Sequence, residues 1–256
     1  MGLLDGKVVI ITGGGQGIGE GLVYAMCKEG ARVVNVGRTF SKVERVVNAI
    51  RAQGYEALAV QCDISDQAQV DAAVAKAAET YGKVDVLVNN AMTQHLVPFE
   101  QTTDQDMWDA YNNNVLGTFH CIKACLPYLK ETKGSIINFA SGSGTHGSSN
   151  MTSYGTSKEA IRGMTKICAV EFGKYDIRVN CVVPTATTPA FIQMRDTVTP
   201  ERRAQMFNGY LLRRPDDMLG DAETDIGGVV IFLASHLSQY MTGRTLFADG
   251  GKAMFR

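Results

Sequence analysis

An open, doubly wound α/β sheet of seven parallel strands with helices on both faces is the fold class this sequence predicts, and three observations predict it. Short β-branched runs alternate with longer stretches of helical period along the chain. Runs such as Val8-Val9-Ile10-Ile11 and Val84-Asp85-Val86-Leu87-Val88 lack polar alternation, as expected of parallel strands covered on both faces. A glycine-rich turn, Thr12-Gly13-Gly14-Gly15-Gln16-Gly17-Ile18-Gly19, follows the first run directly and opens the first helical period. The 256 residues suit one such unit, because folds of this class reach about 250 residues as a single domain.

The strands are expected at Val8 to Thr12, Arg32 to Val36, Ala57 to Asp63, Val84 to Asn89, Ser135 to Ala140, Arg178 to Val183 and Thr245 to Ala248. Helical periods fall between them. Asp66 to Tyr81 places Val70, Ala73, Val74 and Ala77 at spacings of three and four, and Ser153 to Phe172 carries a second long period. Pro184 to Gly220 breaks the rhythm, with three further prolines and a short helical stretch near Glu201 to Leu212. An insertion at a strand's C-terminal end, where such sheets bind ligands, reads as a substrate cover over about 185–220 rather than a second domain. With no repeat, low-complexity tract or linker, residues 1–256 form one domain in this reading.

Composition excludes several classes. Twenty-five basic and 26 acidic residues leave a net charge of −1, and neither sign forms a run suited to nucleic acid. The 45% apolar content with 20% charged residues is that of a globular chain. Six cysteines sit mostly in apolar stretches without a CxxC pair, so they read as buried reduced thiols, with no metal site. The first residues carry no basic, apolar leader and no window is long and apolar enough for a membrane span, so a cytoplasmic protein is expected.

The glycine turn is where a pyrophosphate can approach the backbone and meet N–H groups at a positive helix end. The end of the second strand, where a carboxylate would accept from a ribose 2′-hydroxyl and signal NAD, instead reads Gly37-Arg38-Thr39. A guanidinium there suits a 2′-phosphate and favours NADP(H), against the alternative of a solvated surface arginine. Asp63 at the end of the third strand has two readings, a helix cap or a contact to the adenine amino group.

Tyr154 and Lys158 lie one helical turn apart on one face, and a fixed cation near a phenol lowers its pKa towards the range of proton exchange with a carbinol. Ser141, thirteen residues before Tyr154, ends the fifth strand where its hydroxyl can share developing alkoxide charge; Ser143 is a rival.

Taken with Asn89-Asn90-Ala91 and Asn114-Val115-Leu116-Gly117, these motifs resemble the short-chain dehydrogenase/reductase family in order and spacing over essentially the whole chain. The resemblance implies a Rossmann fold, with Tyr154 as general acid/base and Lys158 as the pKa-lowering cation and nicotinamide-ribose ligand. It implies Ser141, rather than Ser143, as the group that orients substrate, and Asn114 as holder of a water in a proton relay towards Lys158. Gly13, Gly17, Ile18 and Gly19 would line the pyrophosphate, Asp63 and Ile64 the adenine, and Asn90 the adenosine ribose; Thr12 and Asn89 would be structural. Two departures stand out. The family's Pro-Gly after the sixth strand is here Pro184-Thr185-Ala186-Thr187-Thr188-Pro189, from which Thr188 is chosen as the carboxamide contact, and Met92 replaces the glycine of Asn-Asn-Ala-Gly.

Phe191, Ile192, Met194, Met206, Phe207, Tyr210, Leu211 and Leu212 in the cover suit a large hydrophobic alcohol or ketone, unless they pack on their own domain or on another subunit. Gln94, His95 and His146 lie on loops bordering the pocket, and Arg213-Arg214 can meet a carboxylate or be solvated. Cys125 to Gly142 resembles bacterial hydroxysteroid dehydrogenases acting on bile acids. The reading is therefore an NADP(H)-dependent oxidoreductase interconverting a secondary alcohol and a ketone, with a small-molecule substrate of hydroxysteroid or bile-acid type and no membrane or nucleic-acid partner. The rival enzyme is a 3-oxoacyl thioester reductase, whose docking surface would draw on Arg202, Arg203, Arg213 and Arg214. The rival outside enzymes is a nucleotide-sensing interaction protein, against which the intact Asn114, Ser141, Tyr154 and Lys158 set argues. The family resemblance also implies a homotetramer or homodimer.

Overall fold

Val8–Thr12 forms β1 at the centre of a parallel sheet, flanked by β2 (Arg32–Gly37) on one side and β4 (Val86–Asn89) on the other. With β3 (Ala57–Gln61), β5 (Ser135–Phe139), β6 (Arg178–Pro184) and β7 (Thr245–Ala248), the order is β3-β2-β1-β4-β5-β6-β7. This computed structural model describes residues 2–254 except 213. Among them the sheet has the seven parallel strands expected of a Rossmann fold.

Ten helices connect and follow the strands among the described residues: α1 (Gly17–Lys28), α2 (Phe40–Ala52), α3 (Gln67–Tyr81), α4 (Asp104–Ala110), α5 (Gly117–Thr132), α6 (Gly142–His146), α7 (Thr152–Phe172), α8 (Pro189–Thr197), α9 (Pro200–Met206) and α10 (Gly227–Ala234). Their boundaries have local causes. Asp66 caps α3 by accepting from the N–H groups of Ala68 and Gln69, and Gly82, with φ of 79°, ends it. Thr103 and Asp106 form a reciprocal capping box at α4.

Alternation along the strands divides the core into two layers. Val9 and Ile11 join Leu22, Met26 and Leu233 on one face, while Ile10 joins Val74, Cys125 and Leu129 on the other. Asn35, in β2, is one of several buried polar side chains in the strands and lies beside the glycine turn. Cys27, Cys62, Cys121, Cys125 and Cys181 are buried free thiols, with Cys168 half-buried. Among the described residues no helix is long and apolar enough to cross a membrane.

Strand ends differ slightly from expectation. β4 starts at Val86, just after Asp85, whose carboxylate accepts from Val8 N at 2.9 Å and pairs with Lys7 and Lys83. β3 stops at Gln61 because Asp63 turns the chain by accepting from Ser65 N and Oγ at 3.0 and 2.7 Å. The expected helix over Glu201 to Leu212 is instead α8 and α9, each begun by a proline in its first turn, and the chain turns after Met206 through Gly209 at φ of 85°. The neck of this excursion is closed by a bridge between Ala186 and Gly220, and by the Thr187 hydroxyl, which donates to Leu219 O and accepts from Leu219 N.

Candidate active site

The chain leaves β1 towards β2 and β3 but leaves β4 in the opposite direction, so a crevice opens between the C-terminal ends of β1 and β4. A cleft of about 600 Å³ occupies it. Gly13, Gly17, Ile18 and Gly19 all line it, as expected of them. Gly13 and Gly17 have φ of 72° and 58°, which favour glycine, and a Cβ on Gly19 would overlap the Gly13 carbonyl. Asn90, also on the wall, donates from Nδ2 to the carbonyls of Thr12 and Gly13 at 3.0 and 3.3 Å. Thr12 Oγ accepts from the N–H groups of Asn90 and Ala91, so Thr12 is structural here.

Further along the cleft, Ile64 and Asp63 form one wall. Asp66, not Asp63, caps the following helix; Asp63 closes the turn before it and holds Arg38 at 3.9 Å. Arg38 is more than half exposed at the cleft edge. Beside it lie two polar groups to which sequence reasoning gave no role. Thr39 starts α2 with its hydroxyl unused as a cap, and Lys42, in the first turn, donates to Gln16 Oε1 at 2.6 Å. The signal was available, since Lys42 stands four residues after Arg38 at the start of a helical period.

Ser141, Tyr154 and Lys158 meet at the ends of β5 and α7. Ser141 caps α6, its Oγ accepting from Ser143 N, and its side chain hydrogen-bonds the Tyr154 phenol. The Ser143 hydroxyl instead points to Met151 Sδ at 2.9 Å, so the structure brings Ser141 and not Ser143 to Tyr154. Lys158 is fully buried, donates to Phe139 O at 2.9 Å, and lies 5.8 Å from the Tyr154 ring centre. Burial pulls its ammonium down to about 8.

The Tyr154 phenol feels two opposed effects. Burial is the larger effect and pushes the phenol above its ordinary value, while the Ser141 hydrogen bond pulls it back.

Asn114 is buried in a π-turn over Tyr111–Leu116 that separates α4 from α5. Its Oδ1 accepts from Thr93 N at 2.8 Å, and its Nδ2 donates to Thr93 O and to Ser157 Oγ, both at 3.0 Å. Ser157 Oγ in turn donates to Tyr154 O. Both amide hydrogens are thus committed to fastening the loop after β4 onto α7. Thr188 caps α8 and lines the cleft opposite Gly17, whereas Thr187 is spent on Leu219.

The family model described as short chain dehydrogenase matches residues 7–199. The chain belongs to the short chain dehydrogenase family. Members of this family are oxidoreductases that use nicotinamide cofactors. The chain is 39% identical to the 12alpha-hydroxysteroid dehydrogenase of a Clostridium species over 98% of both chains. It is 33% identical to a 3-oxoacyl-(acyl-carrier-protein) reductase of Staphylococcus aureus over 97% of this chain and 98% of that one. It superimposes on the crystal structure of a 3-ketoacyl-(acyl-carrier-protein) reductase from Brucella melitensis complexed with NADH with a TM-score of 0.84 at 32% identity, covering 98% and 99% of the two chains.

This short chain dehydrogenase departs from the family pattern where expected. Met92 is exposed on the cleft wall. Within the 185–220 segment, Phe207 is buried between Phe191 and Tyr210, at ring distances of 6.1 and 6.4 Å, so part of its apolar content packs on itself. Met194, Leu211 and Leu212 remain exposed. His146 stacks on Phe247, and exposed His95 sits beside Asp106. Arg214 pairs with Asp225, Arg202 is exposed, and Arg213 lies outside the described residues.

Proposed function

We propose that this chain is an NADP(H)-dependent oxidoreductase that interconverts a secondary alcohol and a ketone on a bulky hydrophobic substrate of hydroxysteroid or bile-acid type. The observation that carries the reaction is the Ser141–Tyr154 hydrogen bond beside the buried Lys158. The cleft residues fit the cofactor: a glycine turn at a helix N-terminus suits pyrophosphate, and Arg38, Thr39 and Lys42 gather donors without a carboxylate of their own where a 2′-phosphate would lie. Bound there, a nicotinamide dinucleotide supplies the hydride donor or acceptor.

Ser141 holds the substrate oxygen, and Tyr154 gives it a proton in reduction or takes one in oxidation. Lys158, when protonated, would stabilise the phenolate form of Tyr154 and present its ammonium to the nicotinamide ribose. Asn114 fixes the position of α7 through Ser157. Thr188 would face the nicotinamide carboxamide, and Gly13, Gly17, Ile18, Gly19, Asp63, Ile64 and Asn90 would hold the remainder of the cofactor. The segment 185–220 covers the substrate, with Met194, Leu211 and Leu212 as apolar surface for it.

The 39% identity to a hydroxysteroid dehydrogenase supports the substrate class. The relative named as an acyl-carrier-protein reductase supports a second reading, 3-oxoacyl thioester reduction, with Arg202 and Arg203 on α9 as the candidate docking cations. Exposed Trp108, Tyr111, Phe119, Ile167 and Val170 support a homodimer or homotetramer. The test is a panel of steroid ketones and alcohols and 3-oxoacyl thioesters, assayed with NADPH/NADP and NADH/NAD. Turnover of steroid substrates with the phosphorylated cofactor is the expected result; turnover of the thioesters alone, or a preference for NADH, overturns the reading.

A further inference from the structure

Two residues outside every motif named above control the glycine turn from behind. Asn35, in the middle of β2, is fully buried, and its Nδ2 donates to Gly14 O at 3.1 Å and Val43 O at 3.3 Å. Both neighbours are carbonyl oxygens, which fixes the orientation of the amide. Its Oδ1 is buried without a partner, and a Cβ on Gly14 would overlap that oxygen. Gly14 does not have positive φ, so the approach of Asn35, rather than backbone conformation, is what demands a glycine there. The second residue is Arg45 on α2. It grips Glu20 of α1 through two bonds at 2.9 and 2.8 Å and donates to Gly15 O at 3.2 Å.

These bonds dictate where the N–H groups of the turn point. In a trans peptide the carbonyl and the next N–H lie on opposite sides. Drawing the Gly14 carbonyl towards Asn35 directs the Gly15 N–H the other way, and drawing the Gly15 carbonyl towards Arg45 does the same for the Gln16 N–H. Gly15 and Gln16 both line the cleft, and among the described residues neither N–H donates to a protein acceptor. A buried amide with an idle acceptor carries a desolvation cost that nothing in the sheet requires. Successive N–H groups held in one direction make an anion-binding concavity.

We infer that Asn35 and Arg45 are positioning residues for the pyrophosphate of the dinucleotide, acting by pinning the Gly14 and Gly15 carbonyls away from the cleft. This rests on the nicotinamide-dinucleotide reading of the cleft but not on its preference for NADP, because both dinucleotides carry the pyrophosphate.

The test is calorimetric titration of NADPH, NADH and adenosine into the wild type, Asn35→Leu and Arg45→Met, with the melting temperature of each free protein. Asn35→Leu keeps the branched shape and removes both donors. It should weaken NADPH and NADH by the same factor, about tenfold, from the hydrogen-bond strengths at stake, while adenosine binding stays at its wild-type level. General loosening would weaken adenosine as well. Arg45→Met, on an exposed side chain, decides the matter if Asn35→Leu does not fold. It should weaken both dinucleotides about threefold, measured at about 1 M salt, where the Debye length of about 3 Å removes long-range attraction. Unchanged dinucleotide affinity in the folded variants, or a loss confined to NADPH, overturns the inference. A wild type that binds neither dinucleotide removes the cofactor reading, and this inference with it.

Discussion

Lys158 donates to the carbonyl of Phe139 across 2.9 Å, so the helix carrying Tyr154 is tied to the last residue of the strand that leads into Ser141. The tie places an ammonium in a fully buried position, and that burial brings its pKa down to about 8.

A pH signature in stability follows. With a folded-state pKa of about 8 against the ordinary 10.5, the unfolded chain holds more protons at this site between those values. Stability should therefore rise with pH across that window, by up to about 3 kcal/mol, the burial penalty being full below it. Lys158→Met should lose this rise and be more stable than the wild type near pH 7. Urea unfolding of both proteins from pH 7 to 10 measures it; parallel curves would refute the assignment.

Tyr154→Phe should reduce turnover by about 10²- to 10⁴-fold, the range of a lost general acid/base. Dinucleotide affinity should change little, since the glycine turn is untouched. Steady-state rates and NADPH titration of the same preparation check both halves.

Ser141→Ala removes the hydrogen bond that lowers the Tyr154 pKa and leaves the burial that raises it. Alcohol oxidation, which needs phenolate, should rise at a higher pH than in the wild type, and the maximal rate should fall by about 10²- to 10³-fold. A profile of kcat against pH for the two proteins would show the displacement.

Arg38→Asp should shift preference from NADPH towards NADH, because a carboxylate repels the 2′-phosphate and accepts from a free 2′-hydroxyl. Lys42→Ala should weaken NADPH by about three- to tenfold and spare NADH, as expected for one lost charge-assisted contact. Equal losses for both cofactors in Lys42→Ala would place the phosphate elsewhere.

The sheet was legible because its signal is repetitive. Each buried strand is an apolar run, and every one of the seven was found within two residues of its observed ends. Ser141, Tyr154 and Lys158 were legible as a pattern of spacings. What escaped depends on approach between distant segments. Asn35 reads as a blemish in an apolar strand until Gly14 and Val43 are seen against its amide. The π-turn that buries Asn114 is fixed by Thr93 and Ser157, on either side of it in sequence. The upward push of burial on the Tyr154 phenol was not legible, because spacing reveals the nearby cation but not the depth of burial.

The clasp of Thr187 on Leu219, with the Ala186–Gly220 bridge, brings the two ends of the intervening excursion side by side. An inserted loop closed at its neck can change length at small entropic expense and without moving the strands it hangs from. With that segment as the proposed substrate cover, substrate choice and hydride chemistry would fall in separable parts of the polypeptide. Transplanting residues 194–218, beyond the cleft-lining Thr188, Pro189, Ala190 and Gln193, is therefore a way to exchange one without rebuilding the other.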